Sequence, residues 1–337
     1  MAPTGLVNGV ERVLITGASG FIGRALCQQL KSHEVWVRAL GRRSVPGPWD
    51  AFSVCDLDGE PLDPDFLTGI DTIFHLAGRV HALAESEEEQ HAYQRVNVEG
   101  TQRLLMLAER CHVRRFVFMS SVKAMGEGGA CCVDETWEAP PETPYGISKS
   151  DAEKLVLDTG KRSAIHVCVL RLPLVYGPGA KGNLQRMLGA IARGHFPPLP
   201  QTGNRRSLIS LDDVARAARL VATDPAANGQ IYILTDGAPY SSYEIYALMR
   251  VALGLGRPRW SMPDVAFKIM AWMGDAVTRM RGRRFAFDSD AYRKLLGSAC
   301  YDSRKIRREL GFAPTRRLED CIDEMVREFR DSRREAA

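Results

Sequence analysis

The sequence lacks the features that direct a protein into or across a membrane. Its first residues do not combine a basic segment, a long apolar stretch and a small-residue cleavage site, and RVLITG leads straight into a glycine-rich turn. The most apolar late segment, DVAFKIMAWMGDAVTRM, is interrupted by Lys268, Asp275 and Arg279, so it does not predict a membrane-spanning helix. We therefore expect a cytoplasmic protein with no integral membrane segment.

That late segment, Asp264 to Met280, has two interpretations. Its Phe267, Met270 and Trp272 predict a helix that packs this side against its own domain. The alternative is a helix that touches a membrane surface. Internal packing is the interpretation that we favour.

The sequence also has little excess charge and no metal-binding motif. Lys and Arg number 45 against 41 Asp and Glu, and the basic residues are scattered, which argues against a nucleic-acid partner. The eight cysteines form no CxxC motif, no HExxH is present and the seven histidines are dispersed, so we predict no metal site. Without a secretion signal, the cysteines are expected to be reduced thiols.

What the sequence does contain is an alternation of strands and helices. Short β-branched apolar runs alternate with amphipathic stretches of helical period, such as NVEGTQRLLMLAERCHV. This pattern predicts an α/β fold, a Rossmann-type doubly wound parallel sheet with a smaller C-terminal substrate lobe. We expect the dinucleotide-binding domain at residues 10–178 with a contribution from 207–235, and the substrate lobe at 179–206 and 236–330. The predicted strands are RVLIT, EVWVRAL, TIFHLA, RRFVFMSS, IHVCVLRLP and QIYILTD.

The turn after the first predicted strand indicates a dinucleotide site. LITGASGFIGRAL places Gly17, Gly20 and Gly23 between an apolar strand and the start of a helix. Glycines permit the turn, the approach of the backbone to a pyrophosphate and the close packing of helix on strand, while the helix N-terminus faces the anion. Their position in the first strand-helix turn makes the motif specific.

The end of the second predicted strand, VRALGRRS, bears on which dinucleotide is used. A carboxylate here would accept hydrogen bonds from the ribose hydroxyls of NAD and repel the extra phosphate of NADP, but the chain has Gly41. Arg42 and Arg43 follow and offer charge-assisted hydrogen bonds to a 2′-phosphate. The alternative is two solvated loop arginines. We predict NADP as the cofactor, with NAD as the second choice.

Tyr145 and Lys149 in TPYGISKSDAEK are candidate catalytic residues, because a spacing of four puts them on one face of a helix. A tyrosine becomes a useful acid or base when a neighbouring cation lowers the phenol pKa, and Lys149 is placed to do so. A hydroxyl at the end of FVFMSS would complete the site, and we favour Ser121 over the alternative Ser120. A second Tyr-Lys pair of the same spacing, in CYDSRK, lies away from the sheet pattern.

Together these segments resemble the extended short-chain dehydrogenase/reductase family, the branch of NAD-dependent epimerases and dehydratases that act on nucleotide sugars. The resemblance covers nearly the whole chain and includes TGASGFIG, FHLAG, NVEGTQ, FVFMSSVK, PYGISK, LRLPLVYGPG, RRSLISLDDVA and SRKIRRELGF. It implies a triad of Ser121, Tyr145 and Lys149, and Asn97 matches a structural asparagine of the family. The residues expected around the cofactor, from the motifs and the resemblance together, are Gly17, Ser19, Gly20, Phe21, Ile22, Gly23, Arg42, Arg43, Asp56, Leu57, Leu76, Ala77, Gly78, Asn97, Lys149 and Pro173.

Within that family the likeness is to bacterial reductases and epimerases of UDP-N-acetylhexosamines, in particular reductases of 4-keto-6-deoxy sugars. SSVKAMGE, YGPGAKGNL and NRRSLISLDD carry it. It implies that Asn183 contacts the substrate and that Arg206 pairs with the nucleotide diphosphate, a group that suits a planar bidentate donor. Lys123 is either a further substrate contact or a surface lysine.

Two departures from the family pattern favour a reductase. Dehydratases of the family follow the active-site hydroxyl with Asp-Glu, where this chain has Val122 and Lys123, and epimerases retain NAD and carry the acidic residue that Gly41 replaces. We therefore expect reduction of the 4-keto group of a UDP-linked 6-deoxy-N-acetylhexosamine, by a homodimer as in the family. The alternatives are a UDP-hexose or N-acetylhexosamine 4-epimerase, a reductase of a lipophilic ketone such as a steroid or flavonoid, and a non-catalytic dinucleotide-binding relative.

Overall fold

A parallel sheet forms the centre of the molecule. The computed structural model describes residues 11–59, 62–80, 87–180, 182–281, 285 and 287–335. Its strands are β1 (Arg12–Thr16), β2 (Trp36–Gly41), β3 (Ala51–Val54), β4 (Thr72–His75), β5 (Arg115–Ser121), β6 (Cys132–Val133), β7 (His166–Leu172), β8 (Leu174–Tyr176), β9 (Arg206–Ser210), β10 (Gln230–Ile233), β11 (Pro239–Tyr240) and β12 (Cys300–Tyr301). Seven of them form the central sheet in the order β10-β7-β5-β4-β1-β2-β3, and all its neighbouring strands are parallel.

Helices connect these strands and cover the sheet. They are α1 (Phe21–Lys31), α2 (Glu87–Tyr93), α3 (Gly100–Arg110), α4 (Pro144–Arg162), α5 (Asn183–Ala192), α6 (Leu211–Thr223), α7 (Ser242–Ala252), α8 (Asp264–Arg281), α9 (Ser289–Leu296), α10 (Arg304–Leu310) and α11 (Leu318–Glu335). Between α2 and α3, the segment Gln94–Glu99 is a π-helix. Such wide turns occur frequently at functional sites.

The two faces of the sheet hold separate apolar clusters. In β1, Val13 and Ile15 pack with side chains of α1 and α6, whereas Leu14 between them packs with α3 and α4. Alternate residues of one strand point to opposite faces, so a strand buried on both sides must be apolar throughout. The prediction of a Rossmann-type α/β fold is confirmed, and all six predicted strands are present.

The chain changes direction in the sheet between β1 and β4. From β1 it moves outward through β2 and β3, and later strands are added on the other side of β1. The connections after β1 and β4 therefore diverge to opposite faces and leave a crevice at the carboxyl ends of the strands, where ligands bind in folds of this kind.

The C-terminal elements have an apolar cluster of their own. Side chains of α5, α7 and α11 pack there with Tyr176 and Leu208, which belong to β8 and β9 of the small sheet β11-β9-β8. The expected packing of the helix after Asp264 is only partly right. Phe267 is fully buried in this cluster, but Trp272 is 67% exposed, because it lies on the opposite side of α8 from Phe267.

The expectation that all the cysteines are reduced thiols is wrong, because Cys132 and Cys300 form a disulfide bond. The two residues are register partners in the short parallel pair β6 and β12, which brings their Cα atoms to 4.4 Å. A sequence separation of 168 residues leaves no local pattern from which this pair could be read. Cys131, the neighbour of Cys132, is a free and exposed thiol.

Candidate active site

The glycine turn at the end of β1 has no room for side chains at two positions. Gly17 has a φ of +71°, and a Cβ atom on it would lie 2.8 Å from the backbone nitrogen of Ala77. A Cβ atom on Gly23 would lie 2.3 Å from the carbonyl oxygen of Gly17. Gly20 is the N-cap of α1 and supplies no side-chain cap, so the first N–H groups of this helix face the crevice. The turn therefore fits a pyrophosphate.

The residues that were expected around the cofactor lie around this same edge of the sheet. Arg42 and Arg43 follow β2 and are exposed, Asp56 and Leu57 follow β3, and Pro173 follows β7. Leu76, Ala77 and Gly78 follow β4, and a Cβ atom on Gly78 would lie 3.0 Å from the Asn97 side chain and 3.5 Å from Lys149 Nζ. A dinucleotide lying along this edge would reach all of these positions.

Buried hydrogen bonds between the ends of β1 and β4 and the start of α3 hold the glycine turn in place. The Thr16 hydroxyl lies 2.6 Å from His75 Nδ1 and accepts from the backbone N–H of Leu76 and Ala77. His75 Nε2 lies 2.9 Å from the Thr101 hydroxyl, which itself donates to the carbonyl of Asn97. Because the Thr101 proton is used there, His75 carries its proton on Nε2 and accepts from Thr16. Burial lowers the pKa of His75 to about 3, so the ring stays neutral.

Asn97, in the π-helix, joins the segment after β4 to the start of α4. Its amide nitrogen donates to the carbonyl of Arg79 and to the hydroxyl of Ser148, each at 3.0 Å. Its oxygen accepts from the N–H of Arg79 at 2.7 Å. Ser148 in turn donates to the carbonyl of Tyr145. The family asparagine thus holds its neighbours in place through all of its polar atoms.

The start of α4 presents Tyr145 and Lys149 to the crevice. Thr143 caps the helix by accepting from the N–H of Gly146, and Pro144 occupies the first position, which suits a residue without an N–H. Lys149 is 4% exposed, and its ammonium donates to the carbonyl of Met119 at 2.9 Å. The spacing of four therefore does place both residues on the side of α4 that faces β5.

Burial dominates the titration of the two groups. It raises the pKa of the Tyr145 phenol to about 12, while a hydrogen bond with Ser121 lowers that pKa in part. Burial lowers the pKa of Lys149 to about 8, against the carboxylate of Glu153, which raises it. The expectation that Lys149 lowers the phenol pKa stays a prediction, since its ammonium is engaged by a backbone carbonyl in β5.

The two candidate serines at the end of β5 point in different directions. Ser120 is 5% exposed and donates to Glu153 at 2.5 Å. Glu153 also pairs with Arg171 of β7 at 2.7 Å. Ser121 instead contacts the phenol of Tyr145. This geometry favours Ser121 as the hydroxyl of the site.

The expected substrate residues fall into two groups. Lys123 forms an ion pair with Glu127, and Glu127 acts on Arg206, where it counters the lowering of the guanidinium pKa by burial. Arg206 also donates to the carbonyl of Gly297 at 2.9 Å. Asn183 is the first residue of α5 and is exposed. The structure thus pairs Lys123 with Glu127, lets the charge of Glu127 act on Arg206, and leaves Asn183 at the start of another element.

Tyr301 and Lys305, the second pair of this spacing, do not share a helix face. Tyr301 lies in β12 and is buried beside Arg206 and Glu127, which act on its pKa in opposite directions. Lys305 lies in α10 and donates to Gln230 and to the carbonyl of Ile231. This lysine is therefore held at the far edge of the sheet, and the pair has no shared chemistry.

Comparison with known proteins places this site in a family. The sequence pattern of the NAD dependent epimerase/dehydratase family matches residues 13–234. The chain belongs to this family. It is therefore an NAD(P)-dependent enzyme of the short-chain dehydrogenase/reductase type.

Relatives with different substrates cover the chain almost completely. The UDP-glucose 4-epimerase of Vibrio cholerae is 29% identical over 327 residues, which are 95% of each chain. The 3 beta-hydroxysteroid dehydrogenase/Delta 5-->4-isomerase of Mycobacterium tuberculosis is 28% identical over 369 residues, covering 100% of this chain and 96% of the relative. The solved structure of MoeE5 in complex with UDP-glucuronic acid and NAD is 27% identical with a TM-score of 0.75, covering 95% of this chain and 99% of that chain.

Sequence reasoning missed several residues that shape the site. His75 and Thr101 support the glycine turn. Glu153, paired with Arg171, holds the Ser120 side chain away from Tyr145, and Glu127 pairs with Lys123. The partners of His75 and of Ser120 lie 26 and 33 residues away. A buried histidine or carboxylate at these separations follows no local spacing, so only the fold identifies it.

Proposed function

We propose that this protein reduces the 4-keto group of a UDP-linked 6-deoxy-N-acetylhexosamine, with NADPH as the reductant. The family establishes the dinucleotide chemistry in general terms. The proposal adds the direction of the reaction, the substrate and the choice of NADPH. Each of these rests on a different part of the site.

The state of Tyr145 carries the proposal. With its pKa raised to about 12, the phenol is protonated at neutral pH. A protonated phenol can give its proton to a developing alkoxide, which is the step that ketone reduction requires. Val122, buried next to Ser121, stands where a dehydratase would have an acid, which favours simple ketone reduction.

The reaction needs one hydride and one proton. A bound nicotinamide supplies the hydride to the carbonyl carbon. Tyr145 donates its phenolic proton to the carbonyl oxygen, which converts the ketone into an alcohol, and Ser121 donates a hydrogen bond to the same oxygen. Lys149, one helical turn further along α4, then stabilises the phenolate until Tyr145 regains a proton.

Arg206 and Lys123 support a nucleotide sugar as the substrate. Lys123 pairs with Glu127, whose charge also acts on Arg206, and a diphosphate would compete with that carboxylate for the lysine and give Arg206 a bidentate partner. The names of the Vibrio cholerae relative and of the MoeE5 complex include UDP sugars. We assign the C-terminal apolar cluster, with α5, to the substrate lobe.

The end of β2 supports NADPH. Gly41 provides no carboxylate to repel a 2′-phosphate, and Arg42 and Arg43 are exposed beside it. A guanidinium forms charge-assisted hydrogen bonds with a phosphate. We expect Arg42→Ala combined with Arg43→Ala to weaken NADPH binding at least about tenfold and to leave NADH binding nearly unchanged, with the exposed Arg110→Ala as the control.

The test of the function is NADPH oxidation by the purified protein with UDP-4-keto-6-deoxy-N-acetylglucosamine, compared with NADH. We expect stoichiometric oxidation, faster with NADPH. Tyr145→Phe should lower kcat by about 100-fold to 10,000-fold, while Tyr243→Phe in α7 should have little effect. Unchanged turnover in Tyr145→Phe would contradict the role of the phenol.

The same assay distinguishes the reductase from the second candidate function, a 4-epimerase. The similarity to the Vibrio cholerae UDP-glucose 4-epimerase supports that candidate. An epimerase would not consume NADPH, would release NAD on denaturation and would interconvert UDP-N-acetylglucosamine and its 4-epimer. Consumption of NADPH with a steroid ketone in place of the sugar would instead support the lipophilic substrate.

We also propose a homodimer, formed by α3 and α4 of two copies. These helices pack against each other, and Met106 of α3 is 53% exposed. A solution mass equal to one chain would contradict the dimer.

A further inference from the structure

Exposed apolar side chains are concentrated in one part of the molecule. Among the described residues, nine of the fourteen large hydrophobic side chains that are exposed lie between residues 251 and 285. Single exposed hydrophobic residues are ordinary, but a group of this size marks an interaction surface. We call six of them the α8 surface: Trp260, Val265, Ile269, Trp272, Met273 and Met280.

The α8 surface is one face of a well-anchored helix. At about 100° per residue, its five members within α8 fall in an arc of about 100°. The opposite side of α8 is buried through Phe267, Ala271 and Gly274. A Cβ atom on Gly274 would lie 1.9 Å from the carbonyl oxygen of Phe287. This close packing fixes the orientation of α8, so its outer apolar face is not a core face that has turned outward.

Positive charge surrounds the α8 surface. Five basic residues between 251 and 281 are exposed, against Asp264 and Asp275 as the acidic residues of that stretch. The net charge of this stretch is therefore +3, against a net charge of +4 for the whole chain. Asp264 pairs with Lys268, and Asp275 accepts a hydrogen bond from Ser289. The five basic residues are Arg257, Arg259, Lys268, Arg279 and Arg281.

We propose that the α8 surface docks on an anionic lipid bilayer, with α8 lying in the plane of the headgroups. Tryptophan is enriched at that level of a membrane, and the α8 surface contains two. A basic border beside an apolar face is the composition of interfacial helices, because anionic lipids attract the cations while the apolar side chains enter the acyl boundary. In the described ranges no helix is both long and apolar enough to cross a bilayer, which agrees with contact at one surface only.

The charge also argues against a second copy of the chain as the occupant. A two-fold interface places the same patch on both sides. Two α8 surfaces would then bring their basic borders together. A bilayer with acidic headgroups would contact the apolar face with its acyl chains and the basic border with its headgroups. Membrane binding would be a property of this protein in addition to the reaction at Tyr145.

The test is co-sedimentation of the purified protein with vesicles of phosphatidylglycerol and phosphatidylcholine, compared with phosphatidylcholine alone. We expect binding to the anionic vesicles that weakens with added salt. Ile269→Glu combined with Trp272→Glu should reduce binding at least about tenfold. The control is Val54→Glu combined with Trp137→Glu, two exposed apolar positions outside both α8 and the proposed dimer helices, which should bind like the unmodified protein.

Further variants distinguish the electrostatic from the apolar contribution to vesicle binding. They also test whether a second copy of the chain covers the α8 surface instead. Arg279→Glu combined with Arg281→Glu should remove the preference for anionic vesicles. Turnover of the water-soluble substrate without vesicles should be the same in the α8 variants as in the unmodified protein, which shows that they are folded. Three results would each overturn the proposal. The first is that the unmodified protein does not bind anionic vesicles, the second is that the Ile269→Glu and Trp272→Glu variant binds them as well as the unmodified protein does, and the third is that this variant dissociates a dimer.

Discussion

At the scale of single residues, the site depends on buried polar groups that never touch a substrate. Glu153 accepts hydrogen bonds from Ser120 and Arg171, and its charge raises the pKa of Lys149 against the effect of burial. It is a positioning residue, which acts on the reaction through Lys149 and through the end of β5.

Glu153→Gln should therefore change the pH dependence of the enzyme. Loss of the carboxylate leaves burial alone to act on Lys149, so the lysine pKa falls further below about 8. If the charged lysine is the active form, the fall in kcat/KM on the alkaline side moves to lower pH. The unpaired Arg171 should also cost about 3 to 5 kcal/mol of unfolding free energy.

The matched control is Asp151→Asn, an exposed carboxylate on α4 that pairs with Lys154. It should leave both the pH profile and the stability nearly unchanged. A Glu153→Gln enzyme that is less stable but has an unshifted alkaline limb would limit Glu153 to a structural role.

The sequence indicated the residues with distinctive side-chain chemistry, but not the buried residues that hold them through hydrogen bonds. Tyr145 and Lys149 share a helix, and the preceding strand with its terminal serines distinguished this pair from Tyr301 and Lys305, which have the same spacing. Ser121 and Ser120 are adjacent, and only the contact of Ser120 with Glu153 distinguishes them. Hydrogen bonds between distant elements leave no period in the sequence, which is why the partners of His75 and Ser120 were missed.

At the scale of elements, the glycine turn joins β1, α1 and the end of β4 at van der Waals contact. Gly23→Ala would place a methyl group 2.3 Å from the carbonyl oxygen of Gly17, so α1 must move away from the turn. We expect a loss of about 1 to 3 kcal/mol in stability and weaker cofactor binding.

Gly189→Ala in α5 is the comparison, because its Cβ atom would make ordinary contacts of 3.4 Å and more. Alanine is also the better helix former, so this variant should be as stable as the parent or slightly more so. Thermal unfolding and cofactor titration of both variants measure the difference. Equal behaviour of the two variants would show that the turn is not tightly packed.

Element prediction succeeded where the pattern was long. Six of the seven central strands are apolar runs between turn signals, and each of these was recognised, whereas the edge strand β3 was not among the predicted strands. The strands β6 and β12 have two residues each, too few for any period. In α8 both sides are apolar, so the sequence could not decide which side faces the core, and Trp272 was assigned to the wrong one.

At the scale of the whole molecule, the disulfide closes a loop of 168 residues between β6 and β12. Such a bond stabilises mainly by restricting the unfolded chain, with typical contributions of about 2 to 4 kcal/mol. Cys132→Ser should therefore lower the Tm, and a reductant should lower the Tm of the parent to the same value.

Cys131→Ser, at the adjacent free thiol, controls for the loss of a cysteine without loss of the bond. Its Tm should equal that of the parent in both oxidised and reduced buffer. If the Tm of the parent protein is the same with and without the reductant, the disulfide does not stabilise the fold.

The position of that bond has a consequence for the nascent chain on the ribosome. Cys132 emerges well before Cys300, and at about 5 to 20 residues per second the delay is about 10 to 30 seconds. Most strands of the central sheet precede residue 172 and can assemble in that interval, whereas β10 must wait. During the delay Cys132 has its neighbour Cys131 beside it and no native partner, so the order of synthesis exposes this pair to premature oxidation.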